Sequence, residues 1–306
     1  MTSSRFRKVG FAAAAVVLST MVAAVVAVEA VGWKARHYRD DQAIEARSAR
    51  YSDREDRLRL LFVGDSFTAG SLSESNLGWW AYVPDALRDL GHQPRVEVLS
   101  VALAGSPTPF HQRQFEAFLD ESGRTPDVVM IISGANNPNS QELWTAYTLS
   151  DVGRTHTTSA ERAMYGAPTG LRLLALRLGR ALGRDLPPDP RRRDVARLDQ
   201  YLSEHPEYRA WLEAETTRRL TAFFATARDH GVRPLAGSYL SDPLIGATRT
   251  AAAQADVPFF DMESQELEQT WRADGGMASD GWHLSDDGNR RFAKRWAAWF
   301  VAVERP

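Results

Sequence analysis

Five residues in this chain have types and spacings that suit nucleophilic acyl transfer. Ser66 lies in Gly-Asp-Ser at 64–66, directly after the apolar run 58–63. Gly105 follows a second apolar run at 96–101, and Asn136, in Gly-Ala-Asn, follows a third at 127–132. Asp280 and His283 stand three residues apart near the C-terminal end, ahead of a helical pattern. A serine hydroxyl is a weak nucleophile until a neighbouring base takes its proton, and imidazole is the side chain that changes charge nearest neutrality. A carboxylate can orient that imidazole. The reaction also needs donors for the charge that builds on a carbonyl oxygen. A closely approaching glycine backbone and an asparagine amide can supply them.

Each block alone has a plainer structural meaning. Gly-Asp-Ser reads as a turn into a helix cap, Gly105 as a loop glycine, Asn136-Asn137-Pro138 as a turn, and Asp280 to His283 as a surface loop before a capped helix. The conjunction favours chemistry, because three of the blocks fall at strand ends, where open parallel sheets place their active sites.

In this order the four blocks resemble the SGNH hydrolases, also called GDSL-type esterases and lipases, over roughly residues 58–300. The resemblance implies an enzyme that hydrolyses carboxylic esters, with Ser66 as nucleophile, His283 as general base and Asp280 as the residue orienting it. It implies an oxyanion hole made by the backbone N–H of Ser66, the backbone N–H of Gly105 and the side-chain amide of Asn136. It also implies a flavodoxin-like, three-layer α/β/α fold. One departure stands out: the third block commonly reads Gly-x-Asn-Asp, and here Asn137 replaces the aspartate.

The elements that would position these residues alternate as an α/β fold should. Helical spacing at 79–90 ends at Gly91 before the second strand. A further helix is predicted at 110–119, then a helix at 216–230, strands at 232–240 and 257–260, and a closing helix at 288–303. That last helix carries Phe292, Trp296, Trp299 and Phe300 as a core-facing stripe. The expectation is a parallel sheet of about five strands with helices on both faces. The stretch 140–215 breaks the alternation and is expected to be a helical insertion. It includes an amphipathic helix at 171–182 and reads first as a solvated helical decoration, with a lid or substrate-binding insertion as the alternative because it leaves the sheet beside Asn136.

Ahead of the domain, Arg5, Arg7 and Lys8 precede an uncharged run at 9–28. Twenty helical residues span about 30 Å, the thickness of a bilayer core. The expectation is an N-terminal membrane anchor or signal peptide over 1–30, a charged stalk over 31–56, and a catalytic domain over 57–306. The domain is then exported to the periplasm or cell exterior, single-pass or secreted after cleavage.

Composition narrows the rest. The 306 residues carry a net charge of −2 and 43% hydrophobic residues, so a sizeable core is available and no nucleic-acid partner is indicated. No cysteine is present, which excludes disulfides, thiolate metal sites and cysteine nucleophiles. No cofactor or metal motif occurs, and Asp286-Asp287 with Gly288 reads as a helix entry. Three functions fit: a serine esterase acting on an envelope-associated or small ester, an O-acyltransferase using the same residues on a cell-envelope polysaccharide, or a non-catalytic binding module. The intact set of residues argues against the third.

Overall fold

The computed structural model describes residues 27, 52, 56–92, 95–167, 198–239, 243–262 and 265–304. All but residue 27 of the predicted membrane run, nearly all of the stalk and the amphipathic helix at 171–182 lie outside the described residues. Among the described residues no helix is long and apolar enough to cross a membrane.

The chain divides into two compact units, one of Gln42–Trp144 with Arg193–Pro306 and one of Met1–Asp41 with Thr145–Arg192. The first unit begins with β1 (Arg57–Gly64), α1 (Ser66–Ala69), a 3₁₀ turn at Trp79–Tyr82 and α2 (Val83–Asp89). Next come β2 (Arg95–Ser100), α3 (Thr108–Glu121) and β3 (Val128–Ile132), and then α4 (Gln141–Leu149), which runs on into the second unit. There it is followed by α5 (Asp151–His156) and α6 (Ser159–Gly166), the latter opened by a capping box between Thr158 and Glu161. The first unit resumes with α7 (Leu198–Glu204), α8 (Pro206–Asp229), β4 (Arg233–Gly237), α9 (Ile245–Gln254), β5 (Phe259–Phe260), α10 (Gln265–Ala273) and α11 (Asp286–Glu304).

The five strands are parallel in the order β2-β1-β3-β4-β5, the doubly wound arrangement expected of the flavodoxin type. Central strands of such a sheet are covered on both faces, which is why β1 and β3 are continuous apolar runs. Alternate residues feed two separate cores. Leu60 and Phe62 of β1, with Val128, Met130 and Ile132 of β3, pack with α2 and α11. Leu61, Val63, Val129 and Ile131 pack with α3, α8 and α9. The predicted stripe on α11 is realised: Phe292, Trp296 and Phe300 are fully buried and Trp299 is partly so, against Phe260. Phe62 meets Trp79 and Trp296 edge-on at 4.8 and 5.3 Å, clamping the end of β1 that carries the Gly-Asp-Ser block.

Two element assignments differ from expectation. Helix α8 starts at Pro206 rather than 216, because its first turns bury Tyr208 and Leu212, and Trp144 packs edge-on against Tyr208 at 4.7 Å. The charged residues between those apolar ones disguise the helix as part of the insertion. Helices α9 and α10 were also not anticipated. In α9 the buried face is Ile245 followed only by alanines and a threonine, a weak periodic signal.

Candidate functional site

The turn that presents Ser66 is made tight by its own sequence. A Cβ on Gly64 would lie 2.3 Å from Thr68 Oγ1 and 2.9 Å from the Ile132 carbonyl oxygen, so only glycine lets β1 pass directly into α1 here. Asp65 caps α1 by accepting the Phe67 N–H at 3.0 Å. Ser66 is then the first residue of α1, and its N–H has no acceptor within the helix.

Because β1 lies between β2 and β3, the segments after those two strands flank Ser66. The loop after β2 continues along β1: Val101 N–H donates to Phe62 O at 3.0 Å and Leu103 N–H to Gly64 O at 3.1 Å. Gly105 follows with φ +71°, a left-handed conformation suited to glycine, and its backbone is exposed. Beyond β3, Asn136 is half-buried, and its Nδ2 donates to Asp65 Oδ2 at 2.7 Å. One amide hydrogen is thereby used, and the other has no partner among the described residues.

His283 arrives from the loop before α11. Its Nε2 is 2.9 Å from Ser66 Oγ, and its Nδ1 is 2.5 Å from Asp280 Oδ2. Asp280 Oδ1 also accepts the N–H groups of Trp282 and His283, each at 3.0 Å, so the carboxylate holds the loop as well as the ring. Burial pushes the Asp280 pKa up. The Trp282 N–H and the bonds from the His283 side chain and N–H outweigh it and hold the carboxyl below its ordinary value. Ser285 anchors the loop's end, donating to Gly275 O at 2.7 Å and accepting the Gly288 N–H at 3.1 Å. Asp286 accepts from the Ser75 N–H and hydroxyl, and Asp287 pairs with Arg291, which fits their expected place in a helix entry. Among the described residues no cluster of three or more candidate metal ligands occurs.

Ser66, His283 and Asp280 therefore form one hydrogen-bonded line, with Asn136 joined to it through Asp65, the residue next to Ser66. Gly105 is placed by the loop tied to Gly64.

A family model, described as the GDSL-like lipase/acylhydrolase family, matches residues 62–291. The chain belongs to this family. That family is described as one of lipases and acylhydrolases. An arylesterase of Vibrio mimicus is 35% identical over 79 residues, a match covering 26% of this chain and 38% of that relative's length. Among solved structures, a lipase/acylhydrolase from Enterococcus faecalis is 14% identical with a TM-score of 0.46, covering 80% of this chain and 96% of that one. The psychrotrophic esterase EstA from a Pseudoalteromonas species is 11% identical with a TM-score of 0.48, covering 81% and 100%.

Two parts of the site escaped the sequence reading. The first is Asp65, which is fully buried and accepts hydrogen bonds from the Phe67 N–H, from Asn136 and from the Tyr239 hydroxyl at the end of β4. Burial drives its carboxyl up to about 6, against the lowering effect of those three donors and of the His283 charge. The second is a buried polar chain centred on His111. Asn137 uses its whole amide: Oδ1 accepts the Thr108 N–H at 2.8 Å, and Nδ2 donates to Thr108 Oγ1 and Thr216 Oγ1, both at 2.8 Å. The Thr108 hydroxyl, already an acceptor, donates to Ser133 Oγ at 2.7 Å, and Ser133 in turn donates to His111 Nδ1 at 2.8 Å. The proton of His111 then resides on Nε2 and goes to Ser106 Oγ at 2.7 Å, whose own proton goes to Leu103 O at 2.6 Å. Burial, with the Arg113 charge behind it, depresses the His111 pKa to about 3, so the ring is neutral. Asn137, the departure from the usual Gly-x-Asn-Asp, sets the direction of this chain, since an aspartate there would only accept.

Proposed function

We propose that the chain is a serine esterase that cleaves a carboxylic ester through an acyl-enzyme on Ser66. The observation that carries this is the unbroken line Ser66 Oγ, His283 Nε2, His283 Nδ1, Asp280 Oδ2, at 2.9 and 2.5 Å. His283 accepts the Ser66 proton at Nε2 as Oγ attacks the carbonyl carbon, and Asp280 keeps the other ring proton on Nδ1 and stabilises the imidazolium. The N–H groups of Ser66 and Gly105 and the free N–H of Asn136 receive the oxyanion. Collapse returns the His283 proton to the departing alcohol, and a water activated by the same nitrogen releases the acid.

For substrate, we propose an O-acyl group borne on an envelope glycan, or a small lipid-type ester. The side chains of His283 and Asp280 are 23% and 29% exposed, which supports an ester that reaches the site while attached to a bulky alcohol. The uncharged run at 9–28, preceded by Arg5, Arg7 and Lys8, supports an export route that would bring the domain to such a substrate. The test is a p-nitrophenyl acyl series, with and without sugar acceptors, following both free acid and transferred acyl group. Hydrolysis should dominate and should fall by about 10⁴-fold or more in Ser66→Ala. Full activity in that variant refutes the acyl-enzyme, and acyl appearing on the sugar instead of as free acid makes the chain a transferase.

A further inference from the structure

We propose that Tyr239 is a positioning residue for the Asn136 donor, acting through Asp65, and that only ionised Asp65 holds the Asn136 amide in its donating orientation. The inference rests on the esterase reading of Ser66 and His283, and it assigns a role to a tyrosine 174 positions from the aspartate it meets.

The argument follows from which oxygen each donor uses. Asp65 Oδ1 accepts both the Phe67 N–H and the Tyr239 hydroxyl, while Oδ2 accepts only Asn136 Nδ2 at 2.7 Å. An ionised carboxylate is acceptor-only, so it selects the amide nitrogen over the amide oxygen as its neighbour. That choice leaves the second N–H of Asn136 free for the oxyanion that the esterase reading builds at Ser66. When Asp65 takes a proton, both acceptor sites of Oδ1 are already filled by the backbone Phe67 N–H and the Tyr239 hydroxyl, so the proton goes to Oδ2. An O–H then faces an N–H, and the Asn136 amide must rotate by about half a turn to present its oxygen. The donor is withdrawn, and an acceptor points where the oxyanion would form.

Tyr239 decides how easily this happens. It is buried, packs edge-on against Phe67 at 4.5 Å, and gives its hydroxyl proton to Asp65 while also lying 3.3 Å from Ile132 O. The groups that bear on Asp65 are thus Tyr239 from just beyond β4, the Phe67 N–H from α1, Asn136 from beyond β3 and His283 from the loop before α11. Burial and the Asp65 charge hold the Tyr239 phenol well above its ordinary pKa, so it remains a donor throughout the working range. Without its hydroxyl a buried carboxylate loses one of three donors and protonates more readily.

The test compares wild type with Tyr239→Phe, which keeps the ring against Phe67, on the full chain from pH 5 to 9. In the wild type, kcat/KM should fall below pH 6 as Asp65 takes up its proton. In Tyr239→Phe the Asp65 midpoint should move from about 6 to about 7–8. The loss should then be about 5- to 50-fold at pH 6 and nearly none at pH 9, carried by kcat with little change in KM. In parallel, the Asn136 side-chain amide signals in ¹⁵N NMR should titrate near pH 6 in the wild type and higher in the variant. A loss of equal size at every pH, no loss at all, or Asn136 signals that do not titrate would overturn the proposal. Absence of Ser66-dependent turnover refutes the esterase reading alone, since the NMR titration still tests the amide rotation.

Discussion

Lowering the pH should erase most of the stability difference between the wild type and His111→Gln. His111 is wholly buried, with Nδ1 and Nε2 both hydrogen-bonded to serine hydroxyls, and its pKa drops from 6.5 to about 3 on folding. At pH 7 the variant loses a shaped bridge between Ser106 and Ser133, which costs about 2–4 kcal/mol when two buried hydrogen bonds are disturbed. A histidine with a depressed folded pKa contributes its stability above pH 6.5. That contribution drains away as pH falls toward 3, because only the unfolded chain takes up the proton. Between pH 7 and pH 4 the drain is the distance from 6.5 to 4, at about 1.4 kcal/mol per pH unit, or about 3.5 kcal/mol. Glutamine does not titrate, so the variant escapes it. Asp65 titrates in the opposite sense, but it is common to both proteins and cancels in the difference. Urea unfolding followed by tryptophan fluorescence suits the assay, since Trp79 and Trp296 are fully buried. The two stabilities should differ at pH 7 and converge near pH 4. An equal gap at both pH values would refute a neutral, buried His111 as the centre of the network.

Three further outcomes follow from the site. Asp280→Asn should keep the fold and lose about 10⁴-fold in kcat, because the ring is no longer held with its free nitrogen toward Ser66; steady-state kinetics near pH 8 measure it, and a loss under tenfold would remove Asp280 from the line. Asn136→Ala should cost about 10²- to 10³-fold, carried by kcat, as expected for one oxyanion donor, and an unchanged kcat would reduce that residue to a turn former. If the run at 9–28 anchors the chain, the protein should stay with membranes through a high-salt wash, and external protease should reach the domain in spheroplasts; a protected domain would contradict export.

The sequence alone determined the blocks and their order. Apolar runs ending in Gly-Asp-Ser, Ala-Gly and Gly-Ala-Asn mark strand ends because a strand covered on both faces is continuously apolar and the turn after it demands glycine or asparagine. The same logic made the stripe on α11 legible, where aromatic residues recur at helical spacing. Asp280 and His283 were visible because their pairing is local, three residues apart in one loop. What the tertiary structure decided is everything that depends on neighbours distant in the chain. Placing β1 between β2 and β3 puts Gly105 and Asn136 on either side of Ser66, and strand order has no local signature. Asp65 read as a cap, which it is, but its burial, its bond to Asn136 and the hydroxyl of Tyr239 arise only when the ends of β1, β3 and β4 come together. His111 sat unnoticed on a helix for the same reason. A buried polar side chain is specified by partners it meets after folding, and Ser106, Thr108, Ser133 and Asn137 become one chain only when α3 packs beneath the loops after β2 and β3.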